Sequence, residues 1–245
     1  MGPLVVDIET SGYFEDLAEP VQEYLIEREG RYAEDKDPYL EVANSLPLNP
    51  ALGTIVSIGM WLPEEGRGAV LVNNQTSEIK SSIAFERYNE EIAVFYGSEP
   101  EILREFWKKA DEKAGQRRGA IVYPIVTFNG RSFDGPFLML RSIIHGIQPT
   151  RNLVGYRYSL REHCDLQEVL TFLGSLDWRY RYSLDFWCHQ FGIKSPKEEL
   201  DGSKVPELWK AGLLNEIIEY NINDVKATSE LYLKLKPLIQ LLNSR

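Results

Sequence analysis

Three short stretches of this 245-residue chain place carboxylates where they could act together. Asp7-Ile8-Glu9 follows the β-rich run Leu4-Val5-Val6, and the two-residue period of a strand points both acids to one face, roughly 6.5–7 Å apart at the backbone. In Thr127-Phe128-Asn129-Gly130-Arg131-Ser132-Phe133-Asp134 an apolar run ends in a glycine-containing turn, and Asp134 falls in the first turn of the helix that should follow. In Tyr220-Asn221-Ile222-Asn223-Asp224 the i, i+4 spacing puts a phenol and a carboxylate on one helix face. Carboxylates offer proton transfer and cation ligation. Two of them 4 Å apart repel by about 4 kcal/mol at an effective dielectric near 20, so a cluster of four either protonates in part or binds cations. Oxygen donors with no nearby Cys or His favour Mg²⁺ or Mn²⁺ over Zn²⁺.

Each stretch also has an ordinary reading. With 11 Asp and 26 Glu in the chain, chance alone yields about one D-x-E triplet. Asp134 would complement a helix dipole by roughly 0.3–1 kcal/mol, and Asp224 would be a surface acid beside a half-buried tyrosine. Other constellations are weaker. His163-Cys164 and Cys188-His189 lack the C-x-x-C or H-x-x-x-H spacing of a zinc site, and Cys188 fits an apolar helix face; His163 either faces the carboxylates or caps its segment. Trp178-Arg179-Tyr180-Arg181-Tyr182 interleaves aromatics with arginines as a single-strand platform would, but a half-buried strand or turn shows the same pattern, and some of its aromatics are expected in the core. Arg117-Arg118, Arg131 and Arg141 are candidates for phosphate contact, with a solvated surface as their default.

The elements that must position these residues form an α/β pattern. Strands are expected over Leu4–Thr10, Thr54–Leu62, Gly68–Val72 and Ile92–Tyr96, the middle two forming a hairpin around Glu64-Glu65-Gly66. Ala120–Phe128 is nearly continuous in apolar residues, as in a strand covered on both faces. Helices are expected over Val21–Glu29, Glu99–Ala114 and Ser132–His145, the last ended by Gly146. Further helices start at Asp165 and Ser183, and a long one runs from about Leu213 to Leu241, interrupted at Pro237. Strands crowd the first half and helices the second, around at least one covered strand, which implies a mixed sheet flanked by helices. No linker or repeat divides the chain, so residues 1–245 read as one domain. Residues 13–50 are an acidic insertion, with 3 basic and 10 acidic residues, and carry helix of their own; solvated faces are the ordinary reading, a lid over the site the sharper one.

Composition bounds the rest. At 43% apolar residues the chain can bury a large core, and two cysteines, Cys164 and Cys188, fit a reducing compartment. No stretch approaches a membrane span, and Asp7 ends the first apolar run too early for a signal-peptide core, so a cytoplasmic protein is expected. The net charge of −10 argues against bulk electrostatic attraction to nucleic acid. The distribution is uneven: residues 1–112 carry −14 and residues 113–245 carry +4. A modest basic face on the second half is therefore available to a short nucleic acid.

The order D-x-E, N-x-x-x-F-D and Y-x-x-x-D resembles the DEDD superfamily of 3′–5′ exonucleases, in its DEDDy branch. His163-Cys164-Asp165-Leu166, Ser183-Leu184-Asp185, Asp201-Gly202-Ser203 and the run from Tyr220 to Tyr232 are similar to free-standing exonucleases related to the proofreading domain of family B DNA polymerases. The resemblance implies a ribonuclease H-like fold with a mixed sheet of about five strands flanked by helices. It implies two Mg²⁺ or Mn²⁺ ions about 3.5–4 Å apart, with Asp7 bridging both, Glu9 and Asp224 completing the first, and Asp134 serving the second, directly or through water. Tyr220 would position the attacking water, and Thr10, Asn129 and Phe133 would lie near the substrate's 3′ end. The implied reaction is hydrolysis of phosphodiester bonds from the 3′ end of single-stranded DNA. DNA is favoured over RNA by the resemblance alone. A 3′–5′ exoribonuclease acting on short RNA, and a non-catalytic nucleic-acid-binding protein on the same fold, are the alternatives.

Overall fold

Runs of Val and Ile build a sheet at the centre of the chain. The computed structural model describes residues 2–31, 37–74, 84–114, 116–117, 120–121, 123–196 and 202–243. Its strands are β1 (Leu4–Ser11), β2 (Thr54–Leu62), β3 (Arg67–Asn73), β4 (Ala84–Arg87), β5 (Ile92–Gly97), β6 (Gln116–Arg117), β7 (Ala120–Ile121), β8 (Ile125–Thr127) and β9 (His163–Asp165). Seven of them form one mixed sheet in the order β4-β5-β3-β2-β1-β8-β9, with β6 and β7 paired separately. This is the ribonuclease H-like α/β arrangement. The sheet has seven strands where about five were expected, because β4 and β9, of four and three residues, are too short to carry a periodic signal. The expected strand Ala120–Phe128 is also corrected. It is two short strands, β7 and β8, separated at Pro124, which has no N–H to continue a ladder.

The helices are α1 (Glu19–Gly30), α2 (Pro38–Ser45), α3 (Glu99–Ala114), α4 (Asp134–Ile144), α5 (Leu166–Leu170), α6 (Leu184–Phe191), α7 (Val205–Lys210) and α8 (Leu214–Asn243). Pro237 lies inside α8, which runs through it instead of breaking. Asp165 and Ser183 cap α5 and α6 through hydrogen bonds from the Gln167 and Phe186 amides, as their side chains allow. Among the described residues no helix is long and apolar enough to cross a membrane.

Two cores sandwich the sheet. Leu4, Val6 and Ile8 pack with Ile102, Leu103, Phe106, Phe137 and Leu138 of α3 and α4, whereas Val5 packs with Cys188, Ile218, Val225 and Leu231 of α6 and α8. The pleat therefore turns Asp7 and Glu9, in phase with Val5, toward α8. A buried polar knot ties the opposite side. Glu99 accepts from the Ile55 amide at 2.8 Å, from Arg141 at 2.9 and 2.7 Å, and pairs with His145 at 2.7 Å. Burial alone would raise its carboxyl, but the His145 and Arg141 hydrogen bonds hold it down to about 2.

The inserted segment folds around its own small core of Leu25, Val42 and Leu46, joined by Phe14, Leu17, Val21, Ile26 and Leu52. Gly53 lets this core dock against β1: a Cβ there would lie 2.7 Å from the Leu46 carbonyl oxygen.

Candidate active site

β1, α4 and α8 bring the acids of the three stretches together. Asp7 faces Gly59 across the β1–β2 ladder, and Glu9 faces Ser57, with an irregularity between Glu9 and Thr10. Gly59 is what allows α8 to approach, since a Cβ there would meet Asn221 Oδ1 at 2.8 Å and Val225 Cγ1 at 2.9 Å. Asn221, fully buried, then bridges the elements. Its Nδ2 donates to Asp7 Oδ2 at 2.8 Å, and its Oδ1 accepts from the Ser57 hydroxyl at 3.1 Å. One turn further along α8, Asp224 joins them. Asp7, Glu9 and Asp224 each offer an oxygen, all within 4.8 Å of one another. Tyr220 is buried one turn before Asp224, on the same face of α8.

Asp134 stands beside this trio. It opens α4, and its Oδ1 accepts from the backbone N–H of Ile8, the residue between the two β1 acids, at 3.2 Å. The loop that delivers it is tight. Asn129 adopts a left-handed backbone (φ 62) and Gly130 sits so close to Thr127 that a Cβ would lie 2.4 Å from its hydroxyl oxygen. Asp165 holds the loop from β9, accepting from the Asn129 amide at 2.9 Å and the Arg131 amide at 3.0 Å while also capping α5.

The electrostatics follow from crowding acids in a site where Glu9 and Asp134 are buried and Asp7 and Asp224 half-buried. Burial raises the Asp7 carboxyl well above its ordinary range, with further contributions from Asp224, Glu9 and Asp134; the Asn221 hydrogen bond opposes them. Glu9 is raised in the same way, by burial and then by Asp224 and Asp134. Asp134 is pushed up to about 7 by burial, with Asp165 and Asp224 adding and the Ile8 N–H subtracting. Burial, then Asp224, Glu9 and Asp7, drive the Tyr220 phenol far up, so it stays protonated at neutral pH. An all-oxygen group that resists ionisation when bare is relieved by a hard divalent cation, and its donor chemistry fits Mg²⁺ or Mn²⁺.

A cleft of about 710 Å³ opens next to Glu9. Thr10 and Phe133 line it, as do Tyr13, Tyr39, Asn44 and Pro47 of the inserted segment and Glu207 and Lys210 of α7. The insertion is thus a wall of the cleft and not only a solvated face. The Thr10 hydroxyl donates to the Pro47 carbonyl, and the Tyr13 hydroxyl to the Pro206 carbonyl. Asn129 sits in the turn before Asp134 and gives its amide to Asp165.

The discounted constellations separate as well. Cys164 and Cys188 are free thiols buried in the apolar core, and the His163 ring bonds Thr127 Oγ1 at 2.8 Å within the sheet, its pKa pushed down to about 4 by burial and Arg131. Arg141 is committed to Glu99, and Arg131 to the Val154 and Gly155 carbonyls. The side chains of Arg117 and Arg118, and Asp201, lie outside the described residues. Trp178–Tyr182 is a solvent-facing turn and not a half-buried strand. Two residues inside the stretches singled out from the sequence have positioning roles that were not assigned to them there. Asn221 was legible only as a polar residue inside an apolar helix face. Asp165 read as a helix cap, which it is, with nothing to mark the second loop it holds.

Residues 77–244 match a family described as a predicted 3′–5′ exonuclease related to the exonuclease domain of PolB. An uncharacterized protein of Methanocaldococcus jannaschii is 28% identical over 142 residues, 55% of this chain and 73% of that protein. A DNA polymerase of Pyrococcus glycovorans is 28% identical over 155 residues, 58% of this chain but only 19% of the polymerase. Among solved structures, the family B DNA polymerase of Pyrobaculum calidifontis superposes with a TM-score of 0.57 at 19% identity, over 99% of this chain and 27% of that one. That last likeness concerns the fold, and the chain spans a minor part of both polymerases. With more than half its length matched, the chain belongs to the family of predicted 3′–5′ exonucleases related to the PolB exonuclease domain.

Proposed function

We propose that the protein is a metal-dependent 3′–5′ exonuclease of the DEDDy type that releases nucleotides from the 3′ end of single-stranded DNA. The observation that carries this reading is the convergence of Asp7, Glu9 and Asp224 oxygens to within 4.8 Å, with Asp134 hydrogen-bonded between the first two. Asp7, Glu9, Asp134 and Asp224 would hold two Mg²⁺ or Mn²⁺ ions, which supply water activation and stabilise the charge on the attacked phosphate and the departing oxygen. Asn221 fixes the rotamer of Asp7, so that this carboxylate points into the cluster without rearranging when substrate arrives. Tyr220, its phenol raised by burial and so protonated, orients the attacking water as a hydrogen-bonding partner and is not its base. Thr10 and Phe133 line the cleft beside Glu9 and would contact the 3′-terminal nucleotide, with Asn129 shaping the turn behind them. The likeness to proteins named DNA polymerase favours DNA over RNA.

The test is a 5′-labelled single strand of DNA, and RNA of matched sequence, incubated with protein in Mg²⁺, Mn²⁺ or EDTA. A ladder shortening from the 3′ end in metal and abolished by EDTA is expected with DNA. A ladder with RNA alone moves the reading to an exoribonuclease. Binding of both strands without shortening contradicts catalysis and leaves a nucleic-acid-binding protein.

A further inference from the structure

The arginine–aromatic stretch Trp178–Tyr182 and a second one, Tyr156-Arg157-Tyr158, are joined in the fold. Between them lies α5, whose buried Glu168 accepts from Arg157 Nε at 3.2 Å and from Arg181 Nη2. One buried carboxylate between two guanidiniums thus clamps together loops about twenty residues apart in sequence. The connecting turn is shaped for this. Phe172 and Leu173 take left-handed backbone (φ 51 and 57), and Gly174 follows at φ 84, a conformation that favours glycine, with Arg157 Nη2 occupying the space a Cβ would take.

The rings that the clamp holds face solvent. Tyr156 is 71% exposed, Tyr158 62%, Trp178 76% and Tyr180 48%. Indoles and phenols are ordinarily buried for most of their surface, and four exposed on adjoining loops mark an interaction face. Burial also sorts the charges. Between residues 156 and 182 there are four arginines and four acids, but Asp165 and Glu168 are buried while all four arginines are exposed. Exposed guanidiniums therefore outnumber exposed carboxylates on this face by four to two, Glu162 and Asp177, the latter paired with Arg179 at 2.9 Å. Its flanking segments are tied to the elements that carry the carboxylates: Arg131, in the loop leading to Asp134, donates to Val154 and Gly155, and α6, just past Tyr182, packs against α8.

We propose that this face is a stacking platform for the bases of single-stranded nucleic acid upstream of the 3′-terminal nucleotide, its arginines meeting the phosphates between them. Rings spaced by cations suit a polyanion that presents a π-face at every residue; an apolar protein partner would call for aliphatic neighbours instead. The proposal rests on the exonuclease reading of the site.

The test compares kcat/KM for a thymidylate 12-mer and a trimer, in the wild type and in a Trp178→Ala/Tyr156→Ala double variant. Both lengths share the terminal site, so their ratio isolates upstream contacts. The ratio is expected to fall about 10- to 100-fold in the variant, and fluorescence anisotropy should show a similar weakening of 12-mer binding. A ratio that is unchanged, or a fall shared equally by both lengths, overturns the platform. An unchanged ratio with lost self-association in sedimentation overturns it in favour of a protein interface. Hydrolysis of the p-nitrophenyl ester of thymidine 5′-monophosphate by the wild type needs no platform. Its absence would sink the exonuclease reading, while the anisotropy comparison would still decide the platform.

Discussion

Replacing Asp134 with Asn measures what it costs the fold to gather these acids. Asp134 is 3% exposed, and its carboxyl is pushed from 3.8 to about 7 by burial first and by Asp165 and Asp224 after it. A folded pKa above the unfolded one means that the native state holds the proton more tightly. Its contribution is therefore complete below about pH 4 and is lost as the pH rises through about 7. Raising the carboxyl from 3.8 to about 7 amounts to at most about 4 kcal/mol. Asn keeps the oxygen that accepts from the Ile8 N–H at 3.2 Å and carries no charge to desolvate. In EDTA at pH 8, Asp134→Asn is expected to exceed the wild type by about 1–4 kcal/mol in urea unfolding, or several degrees in Tm. The difference should vanish toward pH 4, and metal-dependent turnover should be lost. Equal stability at every pH, or a variant less stable at pH 8, would refute the electrostatic reasoning.

Other perturbations have equally definite outcomes. Asp224→Ala should abolish metal-dependent turnover with an unchanged circular dichroism spectrum; full retained activity would remove this residue from the site. Tyr220→Phe keeps the packing and loses the hydroxyl one turn before Asp224, so kcat should fall while KM moves little. Asn221→Ala strips Asp7 of its 2.8 Å donor and Ser57 of its acceptor; denaturant unfolding should show a loss of about 1–3 kcal/mol, and kcat should drop as well. Glu99→Gln breaks a buried ion pair outside the cluster and should cost about 3–5 kcal/mol. Because the Glu99 carboxyl is held down to about 2, the stability it contributes is present above pH 4.5 and is lost as the pH falls toward 2, so the wild type and Glu99→Gln should converge in strong acid.

Long periodic elements were readable from residue pattern because burial on one face writes itself into the sequence. Ile102, Leu103, Phe106 and Trp107 mark α3 over the Glu99–Ala114 span that it occupies, and the β-branched runs mark β2, β3 and β5. The two edge strands were not legible, since four or three residues carry too little period to separate them from loop. Pro124 splits the apolar run Ala120–Phe128 into two short strands that hydrophobicity alone joins. Of the candidate site, Asp7, Glu9 and Asp224 meet as their faces implied. Asn221 and Asp165 were missed in their positioning roles because those depend on partners 214 and 36 residues away, and no local spacing encodes such contacts. The inserted segment was legible as acidic and helical, but its docking against β1 depends on Gly12 and Gly53, whose value lies in the side chains they lack.

Diffraction at the manganese edge from crystals soaked in Mn²⁺ and a nucleoside monophosphate is the most direct measurement. Anomalous peaks within coordination distance of Asp7, Glu9 and Asp224, with the nucleotide's phosphate beside them, are the predicted result. Full occupancy of manganese elsewhere, with these three carboxylates unliganded and protonated, would contradict the account.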